Sequence, residues 1–208
     1  MLAKAPVAGA VKTRLCPPLH PEQAAVVAEA ALGDTLAAVA ATPAARRVLI
    51  LDGEPDARVA AGIEVMPQRS GGLAARLAGA FADVGGPALL IGMDTPQVTP
   101  RLLLAGLELL ADSEAVLGPT PDGGYWAIGL RHHDQRVFAG IPMSTGRTRA
   151  CQRQRLRELG LRTAPLPPLR DVDRFEDALA VARSAPATRM ARALTLLAVT
   201  PTVGTVAA

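Results

Sequence analysis

Short aliphatic and β-branched runs bounded by Gly, Pro and Asp recur along the chain at Arg47–Leu51, Ile63–Met66, Ala88–Met93, Ala115–Leu117, Tyr125–Leu130 and Leu161–Leu166. Each predicts a strand. Between them lie longer segments of helical character: Pro21–Ala41, Leu73–Val84, Pro100–Ala111, Thr148–Leu159 and Phe175–Ser184. Pro21 and Pro100 suit the first helical position, and Thr99 is a good N-cap for the helix it precedes. The succession of strand and helix predicts a three-layer α/β/α sandwich around a mostly parallel sheet. A very short apolar start, Met1–Ala3, precedes the first loop. Because such sheets bind ligands at the carboxyl ends of their strands, the residues just after each run are where chemistry is expected.

Composition narrows this picture. A chain of 208 residues suits one domain better than two, read here as residues 1–185 followed by a C-terminal helix or tail at 186–208. Half of the residues are hydrophobic but only 2% are aromatic, so Ala, Leu, Val and Ile must build the core. No apolar run is expected to cross a bilayer, and Lys4, Lys12 and Arg14 fall where a signal peptide needs its apolar centre. A cytoplasmic protein with no membrane partner is predicted. A net charge of +3 and a pI near 9.4 raise nucleic acid as a partner, but the arginines are scattered without interleaved aromatics, which argues against it. Cys16 and Cys151 lack zinc-ligand spacing and read as small apolar fillers. His132 and His133, in the polar stretch Arg131–Arg136, read as solvated loop residues.

One distribution is not scattered: the only two lysines, Lys4 and Lys12, lie within the first twelve residues. They belong to Lys4-Ala-Pro-Val-Ala-Gly-Ala-Val-Lys-Thr-Arg-Leu15, which precedes the first long helix. Gly9 lets backbone approach a phosphate closely, and Lys12 and Arg14 supply point and forked donors. With Lys4, Pro6 and Thr13 this makes a candidate phosphate-binding loop, although its spacing matches neither the Walker nor the dinucleotide pattern.

Acidic residues follow several of the strands or turns. Asp94 ends an apolar strand at the ligand edge. Asp171 and Asp173 point to one side of an extended segment, where they could approach a metal or its waters; Asp173 could equally cap the next helix in a box with Glu176. In Asp122-Gly123-Gly124-Tyr125-Trp126 the glycines permit close approach and either ring could stack on a base or sugar, while a plain hairpin explains the same residues. Asp122 could accept a sugar hydroxyl or an acceptor proton. Ser144 and Thr145 head a helix, where they could bind substrate as an anion or simply cap.

The loop from Lys4 to Leu15, together with Ile91-Gly-Met-Asp-Thr-Pro96, Gly118-Pro-Thr-Pro-Asp-Gly-Gly-Tyr125, Met143-Ser-Thr145 and Asp171-Val-Asp173, resembles the transferases of domain-of-unknown-function family 2064. That family is also described as radical-SAM/selenodomain-associated transferases and as arsenosugar-biosynthesis glycosyltransferases. The resemblance implies a GT-A-like nucleotide-diphospho-sugar transferase fold, shared with molybdenum-cofactor and phospholactate nucleotidyltransferases. It implies Mg²⁺ or Mn²⁺ held by Asp94 with Asp171 or Asp173, a nucleotide sugar or nucleoside triphosphate as substrate, and a small-molecule acceptor. Glycosyl transfer, nucleotidyl transfer with release of pyrophosphate, and a nucleotide-binding regulator without catalysis all stay open. Two departures stand out: only Met1–Ala3 precede Lys4 where the family has a full first strand, so either that strand is very short or the start is late, and the Trp usual before Ser-Thr is Met143.

Overall fold

A computed structural model describes residues 1–54 and 61–199. The strands are β1 (Leu2–Lys4), β2 (Val48–Asp52), β3 (Glu64–Pro67), β4 (Ala88–Ile91), β5 (Ala115–Pro119), β6 (Tyr125–Leu130) and β7 (Thr163–Pro165). The helices are α1 (Pro21–Ala41), α2 (Leu73–Val84), α3 (Pro100–Leu109), α4 (Thr148–Glu158), α5 (Phe175–Ser184) and α6 (Arg189–Val199). β1, β2 and β3 pair in parallel, with Leu2 opposite Ile50 and Val48 opposite Glu64. The other sheet runs β4-β6-β5-β7. In it β6 is antiparallel to both neighbours, and β7 runs parallel to β5. Apolar periodicity is blind to strand direction, but the connection 120–124 is too short for a crossover helix, so β5 and β6 must form a hairpin.

The period-two alternation of β2 divides the core between two faces. Leu49 and Leu51 pack with Leu36, Leu103 and Trp126, whereas Val48 and Ile50 pack with Leu77, Phe81 and Phe138. Helices therefore cover both faces, as the strand-helix succession predicts. A third cluster joins Leu15 and Val172, both fully buried, to Val27 and Ala31 of α1, Val181 of α5 and Met190 of α6. These two anchors matter for the site, because each sits beside the polar residues expected to carry chemistry.

Thr99 caps α3 as expected, its hydroxyl accepting from the Leu102 amide at 3.2 Å. The cap of α5 differs from expectation. Arg174, not Asp173, is the N-cap, and the Asp177 carboxylate accepts the Arg174 amide at 3.0 Å. Asp173 is thereby left to pair elsewhere. Another correction concerns α1, which is 21 residues long with a mean hydropathy of 1.6 and so meets the length and composition needed to cross a membrane. Within the fold its Ala24, Val27, Ala28 and Ala31 are fully buried, and these small side chains let α6 approach closely. Asp34 of α1 fixes that contact by accepting the Arg189 and Met190 amides, each at 2.9 Å. The remainder of the predicted tail, 200–208, lies outside the described residues.

Candidate active site

The loop after β1 is built from successive turns. The Ala5 amide continues the ladder to the Asp52 carbonyl at 2.9 Å, and the Ala10 and Val11 amides return to Val7. Gly9 takes a positive φ of 73° with open space around its Cα, so a side chain there would be strained by the backbone, not by a neighbour. Lys12 is also left-handed, with φ 50°, and opens a short 3-10 turn, Thr13–Leu15. Buried Leu15 pins that turn, and the polar residues before it face the acids.

Lys12 is almost enclosed; its ammonium pairs with Asp94 Oδ1 at 2.5 Å and donates to the Val172 carbonyl. Arg14 donates to Asp173 Oδ2 at 2.7 Å, a contact that raises the guanidinium pKa still further. The Val172 amide donates to the Asp94 carbonyl at 2.8 Å. Fully buried Val172 thus clamps the Asp171–Asp173 segment between the loop and the end of β4. The alternation about it leaves the flanking acids polar-side outward.

Asp171 is partly buried and its carboxyl is pushed up to about 6, by desolvation first, then by the charges of Asp122 and Asp94, with Lys12 opposing. Asp94, Asp122 and Asp171 therefore share one electrostatic neighbourhood with Lys12. Asp122 lies in the β5–β6 hairpin, where its Oδ1 accepts from the Gly124 amide at 2.8 Å and from the Thr120 hydroxyl. Part of its work is structural.

The hairpin glycines have a protein cause. Gly123 has φ 91°, and a Cβ there would lie 2.1 Å from the Gly146 carbonyl oxygen; the close approach is made by the turn before α4. The two rings separate as an alternating strand requires. Trp126 is core, with its indole N–H donating to the Pro167 carbonyl at 3.0 Å. Tyr125 is largely enclosed, its hydroxyl 3.3 Å from Gln152 Oε1, and burial pushes the phenol up. Ser144 is exposed and left-handed at φ 58°. Thr145 accepts the Arg147 amide at 3.3 Å, so this pair shapes the turn ahead of α4. The helix itself starts at Thr148, as its sequence predicts, and Ser144 and Thr145 lie in the turn just ahead of it.

A cleft of about 300 Å³ opens beside Asp94, lined among others by Lys4, Gln68, Arg76, Tyr125, Met143 and Thr148. Two larger hollows, about 420 and 430 Å³, lie around Phe81 and Leu103 and between α1 and β2. Neither touches the acids, so chemistry and not volume marks the site. Pro6 borders the second of them. Sequence reading passed over Gln68 and Arg76, although Gln68 follows β3 directly and the rule that ligands sit at carboxyl strand ends points to it.

Among the described residues no group of three or more His, Cys, Asp or Glu side chains is arranged to cage a metal. The donor set still fits Mg²⁺ or Mn²⁺, which bind through one or two carboxylates and complete their shells with phosphate oxygens and water. Asp94 is 46% exposed, and mutual repulsion among the acids would be relieved by a cation.

The raised Asp171 pKa gives a pH prediction. The folded state holds this proton more tightly than the unfolded chain, so the resulting stability is complete below about 4 and is lost as pH rises through about 6. Asp171→Asn should therefore raise the Tm above pH 6 relative to the parent and not below pH 4. Parallel melting curves across that range would show an unchanged difference if Asp171 were solvated and isolated.

Comparison with known proteins gives these residues a context. The family model described as "Uncharacterized protein conserved in bacteria (DUF2064)" matches residues 35–145, just over half of the chain; Asp94 and Asp122 lie inside the match, whereas Lys12 and Asp171 lie outside it. A crystal structure from Desulfovibrio desulfuricans G20, described provisionally as a nucleotide-diphospho-sugar transferase, is 25% identical, with 94% of this chain and 93% of that chain covered and a TM-score of 0.84. The 2-C-methyl-D-erythritol 4-phosphate cytidylyltransferase of Thermus thermophilus shares the fold at 18% identity, covering 89% and 98% with a TM-score of 0.57. A Mycobacterium tuberculosis H37Rv protein solved as a manganese complex does so at 22% identity, covering 88% and 96% with a TM-score of 0.52. No curated protein matches the chain. The architecture is thus the mixed α/β, GT-A-like one expected from the motifs, and the chain belongs to the DUF2064 family.

Proposed function

We propose that the protein is a metal-dependent glycosyltransferase that takes a nucleotide-diphospho-sugar donor and a small-molecule acceptor. The observation that carries this reading is the meshing of two cations of one loop with acids from two other segments: Lys12 with Asp94, after β4, and Arg14 with Asp173, just ahead of α5. A diphosphate bridging that seam would take Lys12 and Arg14 as donors. Asp94, with Asp171 or Asp173, would then hold Mg²⁺ or Mn²⁺ against the same phosphates, and the ion would supply charge neutralisation of the leaving diphosphate. In the transfer, the bond from the anomeric carbon to the diphosphate breaks with its electron pair leaving on phosphate. An acceptor atom forms the new bond and loses a proton. Asp122 is the group assigned this role, with Oδ1 engaged in the hairpin and Oδ2 available to accept.

The neighbouring fold of a cytidylyltransferase supports nucleotidyl transfer as the alternative, with the same loop and metal. A side-by-side assay separates them. Nucleotide sugars and nucleoside triphosphates are each supplied with a mixed acceptor pool and Mg²⁺, Mn²⁺ or chelator. Metal-dependent release of nucleoside diphosphate from a sugar donor is expected. Pyrophosphate release from a triphosphate without turnover of any sugar donor would instead establish the alternative, and tight nucleotide binding without either reaction would indicate a regulator.

A further inference from the structure

The hairpin that carries Asp122 is gripped by the start of α4. The Arg149 amide donates to the Gly123 carbonyl at 2.9 Å, and Arg149 Nη1 donates to the Thr120 carbonyl at 3.3 Å. Thr120 is buried, and its hydroxyl donates to Asp122 Oδ1. One turn, Thr120–Gly123, therefore holds both the Asp122 carboxylate and the Arg149 guanidinium. The residue before Arg149, Thr148, borders the cleft beside Asp94, but Arg149 does not.

Arg149 opens a stripe. Arg153 and Arg157 follow it at intervals of four, the spacing that places side chains along one helical face. None of the three has a carboxylate partner among the described residues; of the arginines within α4, only Arg155 meets one, Glu158 at 3.8 Å. Helix stability does not account for the stripe. Like charges at that spacing repel, and the first turn of a helix favours acids, of which α4 has none there. Arg149 also keeps Nε and Nη2 without an acceptor among the described residues, and the exposed Arg153 side chain makes no polar contact with them. These donors stand next to the turn that carries Asp122, the residue assigned the acceptor's proton. An oxyanion held there would relieve the repulsion through charge-assisted hydrogen bonds.

We propose that the Arg149–Arg153 face of α4 is the acceptor subsite, and that it takes a small molecule bearing an oxyanion group, phosphate or carboxylate, whose reacting atom lies at Asp122. The acceptor assignment rests on the transferase reading above, whereas anion binding at Arg149 can be measured without it. The test follows the side-chain Nε–H resonances of Arg149, Arg153 and Arg157 in the full-length protein by NMR, at constant ionic strength and with no nucleotide present. Glycerol 3-phosphate, glycerate and glycerol are the probes.

A saturable shift of the Arg149 and Arg153 resonances with at least one of the two anions, and none with glycerol, is expected, and the stronger anion identifies the group. Arg149→Gln should weaken that anion at least about tenfold and Arg153→Gln at least about threefold, with Arg149→Lys recovering part of the loss. Arg149 also braces the hairpin, so Arg153→Gln, which removes no contact within the described fold, separates charge from brace. Lys12→Met, at a separate site, should leave this affinity within about twofold. Resonances unmoved by both anions, moved equally by glycerol, or moved only at Arg157 would overturn the proposal. So would an unchanged affinity in Arg153→Gln, or a loss in Lys12→Met as large as that in Arg149→Gln. Turnover of a sugar donor with uncharged acceptors alone would also overturn it and leave the transferase reading intact. Anion binding at Arg149 with no turnover of any donor would leave the anion site standing and remove that reading.

Discussion

Replacing Asp94 with Asn is expected to abolish the response to Mg²⁺ or Mn²⁺ and to lower kcat/KM for the sugar donor by roughly a thousandfold. That figure corresponds to losing about 4 kcal/mol of charge stabilisation at the departing diphosphate, within the several kcal/mol that a catalytic metal supplies. The fold should survive, because the Asp94 contact that ties the acidic segment is its backbone carbonyl, which receives the Val172 amide. An Asn also keeps an oxygen that can accept from the Lys12 ammonium. Calorimetry with Mn²⁺ and a nucleoside diphosphate reads the effect directly. Metal-dependent affinity equal to that of the parent would remove Asp94 from the metal site.

Lys12→Met is the second large effect, and it separates the phosphate from the metal. The substitution keeps most of the aliphatic stem and leaves the left-handed backbone of residue 12 unrelieved, so the change is confined to the ammonium. A charge-assisted contact to phosphate contributes about 1.5 to 3 kcal/mol, and nucleoside diphosphate affinity should fall by roughly ten- to 150-fold. Metal binding in the absence of nucleotide should not weaken. It should rise, because Asp94 would no longer be neutralised by a cation 2.5 Å away. Titrations of each ligand alone distinguish the two. Parallel losses for metal and nucleotide would show that Lys12 acts only by holding the Val172 segment in place.

Residues local in sequence explain much of this. The helix starts at Pro21 and Pro100, the Thr99 cap, the paired aliphatic runs and the basic loop are all set by side chains acting on their own backbone or on near neighbours, and these are legible in the chain. So was the rule that drew attention to Asp94, Asp122 and Asp171 after strands and turns. The unbroken apolar run of β2, Val48 to Leu51, likewise required cover on both faces.

What local pattern could not supply was the partner of each polar group. Asp173 could equally cap the helix until Arg174 took the N-cap position, with Asp177 accepting its amide, and Arg14, 159 positions away, took Asp173. Tyr125 and Trp126 read equally as stacking platforms, and only the packing of β6 against Gln152 and Pro167 enclosed them. The glycine at 123 suited a ligand's approach, yet the atom pressing on it is the Gly146 carbonyl. Arg76 gave no signal at all, since an arginine on an amphipathic helix is ordinary. Its isolation beside Asp94 arises because β1, β2 and α2 converge there and Gln68 commits its amide donor to the first two. Strand ends are fixed by short-range hydrophobic period, whereas charge compensation is a sum over neighbours distant in sequence, which exist only once the chain has closed around its core.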